Sequence, residues 1–425
     1  MSSTASHRTV LALVDCNSFY CSCERLFAPH LEKKPIVVLS NNDGCVVSRT
    51  EEAKELGIPM GVPFFEIRAL VKRHGVHVFS SNYSLYGEIS SRVMRTLSQF
   101  TPEIEVYSID EAFLDLTGFR NVGSYGHEIR ETVRRHVGIP VSVGLGPTKV
   151  LAKVANKIAK KRKEHGGVFD LCDAASRDVL LGTVAVGEIW GVGARSREKL
   201  TRNGIRTARD LRDADPHIVG KLLTVVGRRI ASELRGETCL PLETVRKNRK
   251  EICCARGFGR PVRELGELKE AMANYVTSAA ERLRKQGSSC ELVTVFLQTD
   301  PHKETGRYFN QRSTALLAGT SATHTLITVA GDALKNIFKP GFAYKRTGVI
   351  LSGLVPEKNA QLSLLKEGEG KNRPEVMRVV DRLNERMGSH TVRFGTCGVR
   401  QEWKMLSRMR SPSYTTRWSD LPVAG

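Results

Sequence analysis

Residues 107–113 read YSIDEAF and place two acids side by side between two largely apolar runs. Inside a regular strand, neighbouring side chains point to opposite faces, so Asp110 and Glu111 could not act together there. The tight turn of a hairpin breaks that alternation and would let both carboxylates aim at one spot. Two converging carboxylates indicate a site for a hard divalent cation, whereas the alternative is an ordinary solvated turn, in which acids are common.

A third acid, Asp15, follows the continuous apolar run of residues 10–14, which predicts a strand buried on both faces. A carboxylate at the end of a buried strand is unfavourable unless it is paired or bound to a metal, so Asp15 is a strong site candidate. From there to residue 146, the order strand, helix, hairpin, helix, strand predicts an α/β sheet with helices packed on one face.

The composition limits the classes of protein to which the chain can belong. Its 425 residues are too many for one hydrophobic core, and about three to four domains are expected. The net charge of +20 favours a polyanionic partner, nucleic acid first, over a merely soluble basic protein. The ten cysteines lack zinc-finger spacing, and no secretory signal or membrane-length apolar run is evident. We therefore expect reduced thiols in a cytoplasmic protein that has no membrane partner.

Five lysines follow residue 146, mostly at steps of three and four, which places their ammonium groups along one face of a predicted helix. They are Lys149, Lys153, Lys157, Lys160 and Lys161. Such a face is often only a solvated surface. Like charges at this spacing repel one another, however, and bound phosphates would relieve that repulsion.

Two further stretches indicate contacts with DNA. Gly191 and Gly193, followed by Arg195, form a Gly-x-Gly turn between two short predicted helices, which is typical of a helix-hairpin-helix. In that motif, backbone N–H groups at a helix N-terminus hold a DNA phosphate, although a plain helix–helix turn looks similar. Arg246 and Lys247 begin a basic run that is typical of a linker between domains.

The second half of the chain predicts a compact domain of βαββαβ order. The expected elements are strand 251–259, helix 265–286, strand 290–298, a strand near Tyr308, helix 322–338 and strand 347–355. After this domain come an apolar pentapeptide, a Gly-rich linker, a helical stripe of apolar residues and a basic, aromatic tail.

Together and in this order, Asp15, the Asp110-Glu111 pair, the lysine helix and the Gly-x-Gly turn resemble the Y-family of translesion DNA polymerases. The similarity is greatest to the UmuC branch, the catalytic subunit of bacterial DNA polymerase V and its plasmid-borne relatives, and covers essentially the whole chain. It rests on the strings at residues 40–45, 80–83, 107–113 and 411–417.

The resemblance implies an α/β multi-domain (α+β) fold, that of a right-hand polymerase. The implied domains are palm and fingers in residues 1–170, a small thumb with the helix-hairpin-helix in 171–243, a βαββαβ little finger in 251–355 and a C-terminal tail in 356–425 that binds the clamp and partner proteins.

For the active site, the resemblance implies two magnesium ions held by Asp15, Asp110 and Glu111, helped by the Cys16 carbonyl. The ions would bridge the primer 3′-hydroxyl and the incoming deoxynucleoside triphosphate. Tyr20 falls where the family has its steric gate against a ribose 2′-hydroxyl, although without the family a half-buried core aromatic is an alternative interpretation.

Further contacts follow from the same resemblance. The implied nucleotide-binding residues are Phe19, Tyr20, Lys54 and Lys160, and the implied contacts with primer–template DNA are Gly191, Gly193, Arg195, Arg246 and Lys247. The chain departs from many relatives at Asn17, Ser18 and Glu51, and the last of these lies beside the Lys54 contact.

The resemblance also implies protein partners. The pentapeptide Gln361-Leu362-Ser363-Leu364-Leu365 is similar to the peptide by which bacterial polymerases bind the sliding clamp, with Leu365 where phenylalanine is usual. A processed UmuD-type dimer and RecA are implied as well, with error-prone synthesis during SOS mutagenesis as the function.

Two other classes of protein share parts of the pattern. A metal-dependent nuclease could use the same three acids, but it would need a water-activating base such as His, and no His lies near either acid motif. A non-catalytic DNA-binding module would better fit a chain that lacks one of the acids or the gate tyrosine.

Overall fold

The computed structural model describes residues 9–245, 247–303, 306–359 and 373–421. Contacts between residues separate the chain into two compact units. The first unit comprises residues 1–40, 45–246 and 409–425, and the second comprises residues 41–44 and 247–408.

The first unit is built on a five-stranded sheet that contains the acid motifs. Its first elements, in chain order, are β1 (Leu11–Cys16), α1 (Phe19–Leu26), β2 (Ile36–Leu39), β3 (Val46–Arg49), α2 (Glu51–Glu55), α3 (Phe64–His74), β4 (His77–Ser80), α4 (Tyr83–Leu97), β5 (Ile104–Val106), β6 (Glu111–Asp115), α5 (Val122–Val137), β7 (Val141–Gly146), α6 (Lys149–Lys161) and β8 (Val168–Asp170). The sheet has the order β5-β6-β1-β7-β8, and of its neighbours only β7 and β8 are parallel. Asp15 therefore lies near the end of the central strand.

Helices cover both faces of this sheet, so the prediction of helices on one face is wrong. Even-numbered residues of β1, such as Val14, join a core with side chains of α4 and α5. The odd-numbered Leu13 packs against Ala152 of α6 on the opposite face, because successive strand residues alternate. The close approach of α6 depends on Gly144 of β7, since a Cβ there would lie 2.1 Å from the Asn156 backbone nitrogen.

A second sheet of the first unit has the order β3-β2-β4, with β2 antiparallel to β3 and parallel to β4. Val37 and Leu39 of β2 are fully buried and pack with Ala53 of α2 and Ile67 of α3. This small core is separate from the one on which the acid motifs rest.

Four further helices complete the folded body of the first unit. They are α7 (Ala174–Thr183), α8 (Ala194–Arg202), α9 (Ala208–Asp213) and α10 (Pro216–Arg235). Leu200 of α8 and Leu211 of α9 share a core with Leu151 and Val154 of α6. Helix α6 is thus held on one side by the sheet and on another by these helices.

The second unit confirms the predicted βαββαβ order. Its elements are β9 (Ile252–Val262), α11 (Leu265–Lys285), β10 (Ser288–Thr299), β11 (Phe309–Thr320), α12 (Thr323–Ile337) and β12 (Tyr344–Pro356). The strands form an antiparallel sheet of order β11-β10-β12-β9. Its core joins Leu268 of α11 and Leu326 of α12 to Val293 and Val349 of the sheet.

The C-terminal region contributes to both units in turn. Helix α13 (Arg373–Met387) is tied to α11 by Arg284, whose Nε lies 2.6 Å from Asp381 Oδ2. Trp403 then enters the core of the second unit. From Met409 onwards the chain belongs to the first unit. Among the helices that the structure describes, none is long and apolar enough to cross a membrane.

Candidate active site

The turn between β5 and β6 is held together by Ser108. Its hydroxyl accepts hydrogen bonds from the backbone N–H groups of Asp110 (3.2 Å) and Glu111 (3.0 Å) and donates one to Asp110 Oδ1 (2.6 Å). The N–H groups of Tyr107 and Ser108 both donate to the Glu111 carbonyl at 3.1 Å. The predicted hairpin is present, with Asp110 in the turn and Glu111 as the first residue of β6.

The strand register places Asp15 of β1 directly opposite Glu111 of β6. Since Leu13 faces α6, alternation also turns Asp15 to that face. Burial raises the pKa of Asp15 to about 6, the nearby Lys160 ammonium opposes this, and the negative charge of Glu111 adds to the rise. A strongly shifted carboxyl group is characteristic of functional sites.

Each of these two carboxylates has a lysine of α6 as its countercharge. Lys160 Nζ lies 2.5 Å from Asp15 Oδ1, and Lys153 Nζ lies 2.9 Å from Glu111 Oε1. The Asp15 and Glu111 side chains are only 14% and 19% exposed, so water screens their mutual repulsion poorly. The two ammonium groups therefore stabilise an otherwise unfavourable pair of acids.

Asp110 reaches the same region from the turn. Its carbonyl accepts a hydrogen bond from Cys16 N–H (2.9 Å). Burial raises the pKa of the Cys16 thiol well above its usual range, and the negative charges of Asp15, Asp110 and Glu111 raise it further. Over the described ranges, no group of three or more His, Cys, Asp or Glu side chains has a metal-binding arrangement. The side chains of Asp15 and Glu111 meet, while that of Asp110 is bound to Ser108.

The remaining three lysines of α6 also have carboxylate partners within the protein, and two of them share one carboxylate. Lys149 pairs with Glu105 of β5, while Lys157 and Lys161 approach Glu188 to 3.2 and 2.8 Å. Carboxylates of the protein therefore offset part of the repulsion along this helix. The sequence pattern alone could not reveal these partners, because they come from elements distant along the chain.

Lys153 lies among three aromatic rings that help to fix its position. Its Nζ is 4.6 Å from the ring centre of Tyr107, 5.1 Å from that of Trp190 and 5.9 Å from that of Phe113. Contacts of this kind attract a cation to the ring face. Trp190 was not among the predicted site residues, and nothing in its sequence neighbourhood signals this contact.

Tyr20 lies half-buried in α1 and stacks on Tyr86 of α4, with ring centres 4.4 Å apart and planes 14° apart. Tyr83 meets the same ring edge-on at 6.2 Å. Burial raises the pKa of Tyr20, and the charges of Tyr83 and Asp110 add to this rise. Phe19, by contrast, is 3% exposed within the core, which leaves only its backbone for a ligand.

Lys54 and Lys160 line one open cavity of about 700 Å³, a volume suited to a small-molecule ligand. Its other positively charged lining residues are Arg25, Arg130, Lys161 and Lys163. Lys54 is also paired with Glu51 of the same helix, α2. Both predicted nucleotide-binding lysines therefore line the same cavity.

The Gly-x-Gly turn leads directly into α8, and Gly193 is the residue that precedes its first turn. Gly191 has a φ of 88°, a left-handed conformation that favours glycine. The element before the turn is a short 3₁₀ segment, Val186–Glu188, instead of the second α-helix that the sequence predicts. Arg195 is exposed in the first turn of α8.

Two of the predicted contacts fall outside the described residues. These are Arg246 in the basic linker and the predicted clamp-binding peptide Gln361–Leu365. Lys247, which follows Arg246, is described and has an interaction partner.

Three stretches of the chain match known families. Residues 14–157 match the impB/mucB/samB family, residues 249–364 match that family's C-terminal domain, and residues 374–424 match a domain of unknown function. The chain is 42% identical to Protein UmuC of Salmonella typhimurium, over 97% of its own length and 99% of that protein. It belongs to the impB/mucB/samB family. It is also 41% identical to Protein SamB of Salmonella typhimurium, over 98% of this chain and 99% of that protein.

This membership confirms the predicted UmuC branch of the Y-family, so the chain is a translesion DNA-directed DNA polymerase. A DNA polymerase IV from Moorella thermoacetica is similar at 31% identity, over 90% of this chain and 94% of that protein. Enzymes of this family act on DNA and nucleotides and depend on a divalent metal ion.

Solved structures confirm the predicted fold class. The Y-family DNA polymerase chimera Dbh-Dpo4(243-245)-Dbh matches with a TM-score of 0.66 at 22% identity, covering 81% of this chain and 99% of that one. An insertion ternary complex of Dbh DNA polymerase matches with a TM-score of 0.55 at the same identity, covering 81% of this chain and 99% of that one. At this level of identity, the likeness concerns the fold alone.

Proposed function

We propose that the polymerase joins deoxynucleotides opposite damaged template bases at a site formed by Asp15, Asp110 and Glu111, in the error-prone synthesis of SOS mutagenesis. The observation that carries this proposal is the position of Asp15 opposite Glu111 in the β1–β6 register, with Asp110 one residue away. Two adjacent, poorly hydrated carboxylates are unfavourable unless cations accompany them.

The donor set of this site suits magnesium. The carboxylates of Asp15, Asp110 and Glu111, with the Cys16 carbonyl, are hard oxygen donors, and Mg²⁺ combines a few carboxylates with substrate phosphates. When bound, two such ions would supply Lewis-acid stabilisation of the attacking and leaving oxygens.

The lysines of α6 balance the negative charge of the site before substrate binds. Lys160 pairs with Asp15 and also lines the cavity that Lys54 shares. A triphosphate in that cavity offers Lys160 a second anionic partner, so its ammonium can pass from Asp15 to a phosphate. Asp15 then becomes available for catalysis as the nucleotide binds. The primer 3′-hydroxyl gives up its proton to water, and its oxygen forms a bond to the α-phosphorus as the bond from that phosphorus to the leaving pyrophosphate breaks.

Tyr20 acts in this proposal as the steric gate that excludes a ribose 2′-hydroxyl. Its stacking on Tyr86 supports the role, because a ring held by another ring resists displacement by a single oxygen atom. Phe19 would contribute through its backbone, since its side chain is buried.

The domain roles and the contacts with DNA are proposals of the same kind. Palm and fingers would occupy residues 1–170, the thumb 171–243 and the little finger 251–355. Gly191, Gly193 and Arg195, at the N-terminus of α8, would hold a backbone phosphate, because N–H groups there point outward. Arg246 and Lys247 would add two positive charges along the duplex.

The remaining proposals concern the C-terminal region and the cell. Gln361–Leu365 would bind the sliding clamp, and residues 356–425 would meet a processed UmuD-type dimer and RecA. The enzyme would act in the cytoplasm. These proposals rest on the relatedness of the chain to the UmuC branch.

Primer extension on a damaged template with magnesium tests the catalytic site. We expect Asp15→Asn, Asp110→Ala and Glu111→Gln each to reduce nucleotide addition by about a hundredfold or more, since each removes one donor oxygen or its charge. Asp115→Asn is a matched control, because Asp115 ends the same strand as Glu111 and binds the Thr117 N–H instead. Full activity of the three acid variants would refute the assignment.

The same experiment tests the metal. We expect the wild-type polymerase to extend the primer by single nucleotides and to stop when magnesium is removed.

A further inference from the structure

The C-terminal segment, residues 409–420, returns to the first unit beside β4. Ser80 N–H donates to the Met409 carbonyl, and Met409 N–H donates to the Ser80 hydroxyl, both at 2.9 Å. Ser80 and Arg410 form a parallel β-bridge. The segment therefore extends the edge of the sheet β3-β2-β4 by a short piece of strand.

One buried amide fixes the segment to the start of α4. Asn82, which is 1% exposed and immediately precedes that helix, donates from Nδ2 to Ser411 Oγ (3.0 Å). Its Oδ1 accepts from the Arg410 guanidinium (3.0 Å). The Asn82 side chain thus uses both its amide nitrogen and its amide oxygen to bind the segment. Both hydrogen bonds would be lost if the segment moved.

The same segment contacts the end of α1. The ring of Tyr414 stacks on Phe27, the residue after α1, with centres 4.7 Å apart and planes 7° apart. Thr415 binds Glu88 on the second turn of α4. Residues 409–415 therefore join α1 to α4 from outside, and these are the helices that carry Tyr20 and Tyr86.

A buried carboxylate continues the connection inward. Glu24 of α1 is 1% exposed, and its Oε1 accepts a hydrogen bond from the Tyr86 hydroxyl (2.5 Å). Burial raises the pKa of Glu24, while Tyr86, Ser411 and Arg410 stabilise its charge. Its second oxygen, Oε2, is buried and accepts no hydrogen bond from the residues that the structure describes. The charge of Glu24 is therefore stabilised mainly by these three neighbours.

We propose that residues 409–415 position Tyr20 and thereby set the selectivity of the polymerase between deoxyribonucleotides and ribonucleotides. Arg410 and Ser411 bind Asn82 at the start of α4, and Tyr414 stacks on Phe27 just after α1. Tyr86 of α4 in turn donates a hydrogen bond to Glu24 of α1 and stacks on the ring of Tyr20. This role rests on the proposed gate function of Tyr20. It gives one part of the domain of unknown function, residues 374–424, a task in the active site.

The packing explains why such support is needed. A gate distinguishes its substrates by one oxygen atom, so a displacement of about 1 Å is enough to weaken it. Tyr20 is only half-buried, and its stacking partner Tyr86 belongs to a different helix. Any separation of α1 from α4 would tilt the two rings apart, and the C-terminal segment is bound to both helices.

The test uses the full-length chain and the ratio of kcat/KM for a deoxynucleotide to that for the matching ribonucleotide. We expect Tyr414→Ala to lower this ratio by about tenfold, through faster use of the ribonucleotide. Tyr414→Phe keeps the stacked ring and should retain the wild-type ratio. Trp418→Ala is the matched control, because this aromatic of the same segment is 90% exposed.

A second variant guards against simple misfolding. Tyr86→Phe removes one oxygen, the donor to Glu24, and should lower the ratio in the same direction while the enzyme still extends primers with deoxynucleotides. In a Tyr20→Ala background, Tyr414→Ala should cause no further loss of selectivity, because the gate that it positions is absent.

The outcomes distinguish this inference from the gate itself. If Tyr20→Ala lowers the ratio while Tyr414→Ala and Tyr86→Phe do not, the gate stands and the positioning role is overturned. If Tyr20→Ala leaves the ratio unchanged, the gate and the inference both fail. A uniform loss of kcat with both sugars, at an unchanged ratio, would also overturn the positioning role.

Discussion

The two faces of the five-stranded sheet hold their functional side chains by different means. On the face covered by α6, Asp15 and Glu111 are held by ion pairs with Lys160 and Lys153. On the other face, Tyr20 joins the core of α4 and α5 and is held by ring stacking. An ion pair can exchange one partner for another without repacking, whereas a stacked ring moves only if the core opens. The charged face therefore suits groups that change partners when substrate binds, and the aromatic face suits a group that must stay in place.

The largest expected effect comes from separating α6 from the sheet. A Cβ at Gly144 would lie 2.1 Å from Asn156 N and 2.3 Å from the Ala152 carbonyl oxygen, both backbone atoms that cannot rotate away. We expect Gly144→Ala to reduce the free energy of unfolding by about 3 kcal/mol in urea titrations. Primer extension should fall as well, because Lys153 and Lys160 would move away from their carboxylates.

Gly87→Ala in α4 provides the matched control, since nothing lies within 4 Å of a Cβ at that position. Alanine is the better helix former, so stability should stay the same or rise by up to about 1 kcal/mol. Equal losses in the two variants would mean that α6 does not depend on the close contact at Gly144.

The next prediction compares two lysines of α6 that differ in exposure. The side chains of Lys149 and Glu105 are 6% and 10% exposed, whereas those of Lys157 and Glu188 are 37% and 35% exposed. Lys149→Met leaves the Glu105 carboxylate buried without its cation and should cost about 3 kcal/mol of stability. Lys157→Met should cost under about 1 kcal/mol. Denaturant unfolding of both variants, with Lys149→Met/Glu105→Gln as the rescue, measures the difference. Similar losses for the two single variants would show that burial does not distinguish the pairs.

The sequence predicted what local pattern and chain order control. The end of an apolar run marks Asp15, the turn marks Asp110 and Glu111, and the alternation of strands and helices predicts the βαββαβ order. Each of these features depends on residues that are close together along the chain.

The sequence could not show features that depend on tertiary contacts. Gly144 allows α6 to pack closely on the second face of the sheet. A single glycine in a predicted strand does not indicate which element packs against it. The partners of Lys149 and Lys153 come from β5 and β6, far from α6 along the chain. The stacking of Tyr414 on Phe27 joins positions that only the folded chain brings together.

The smallest expected effect concerns the charge of Glu24, which lies on the face of the sheet that carries Tyr20, the aromatic face. Burial raises the pKa of Glu24 above its ordinary value, so the folded protein holds the Glu24 proton at a pH where the unfolded chain has lost it. This contribution to the free energy of unfolding is fully present at pH values below the ordinary glutamate pKa of about 4.3. It is lost as the pH rises through the pKa of Glu24 in the folded protein. Glu24→Gln cannot titrate, so its stability relative to wild type should increase as pH rises across that window.

Asp210 provides a control of opposite sign. Hydrogen bonds from the backbone N–H groups of Arg206 and Thr207 lower the pKa of its carboxyl group, so the stability that it contributes is lost as pH falls. Urea midpoints of wild type, Glu24→Gln and Asp210→Asn between about pH 2 and 8 measure both trends, because the contribution of Asp210 is lost only below the ordinary aspartate pKa of about 3.9. If the urea midpoint of Glu24→Gln equals that of wild type at every pH, ionisation of Glu24 does not destabilise the fold. In that case Arg410, Ser411 and Tyr86 fully offset the cost of burying its charge. That result would make the aromatic face as tolerant of charge as the face on which Asp15 and Glu111 lie.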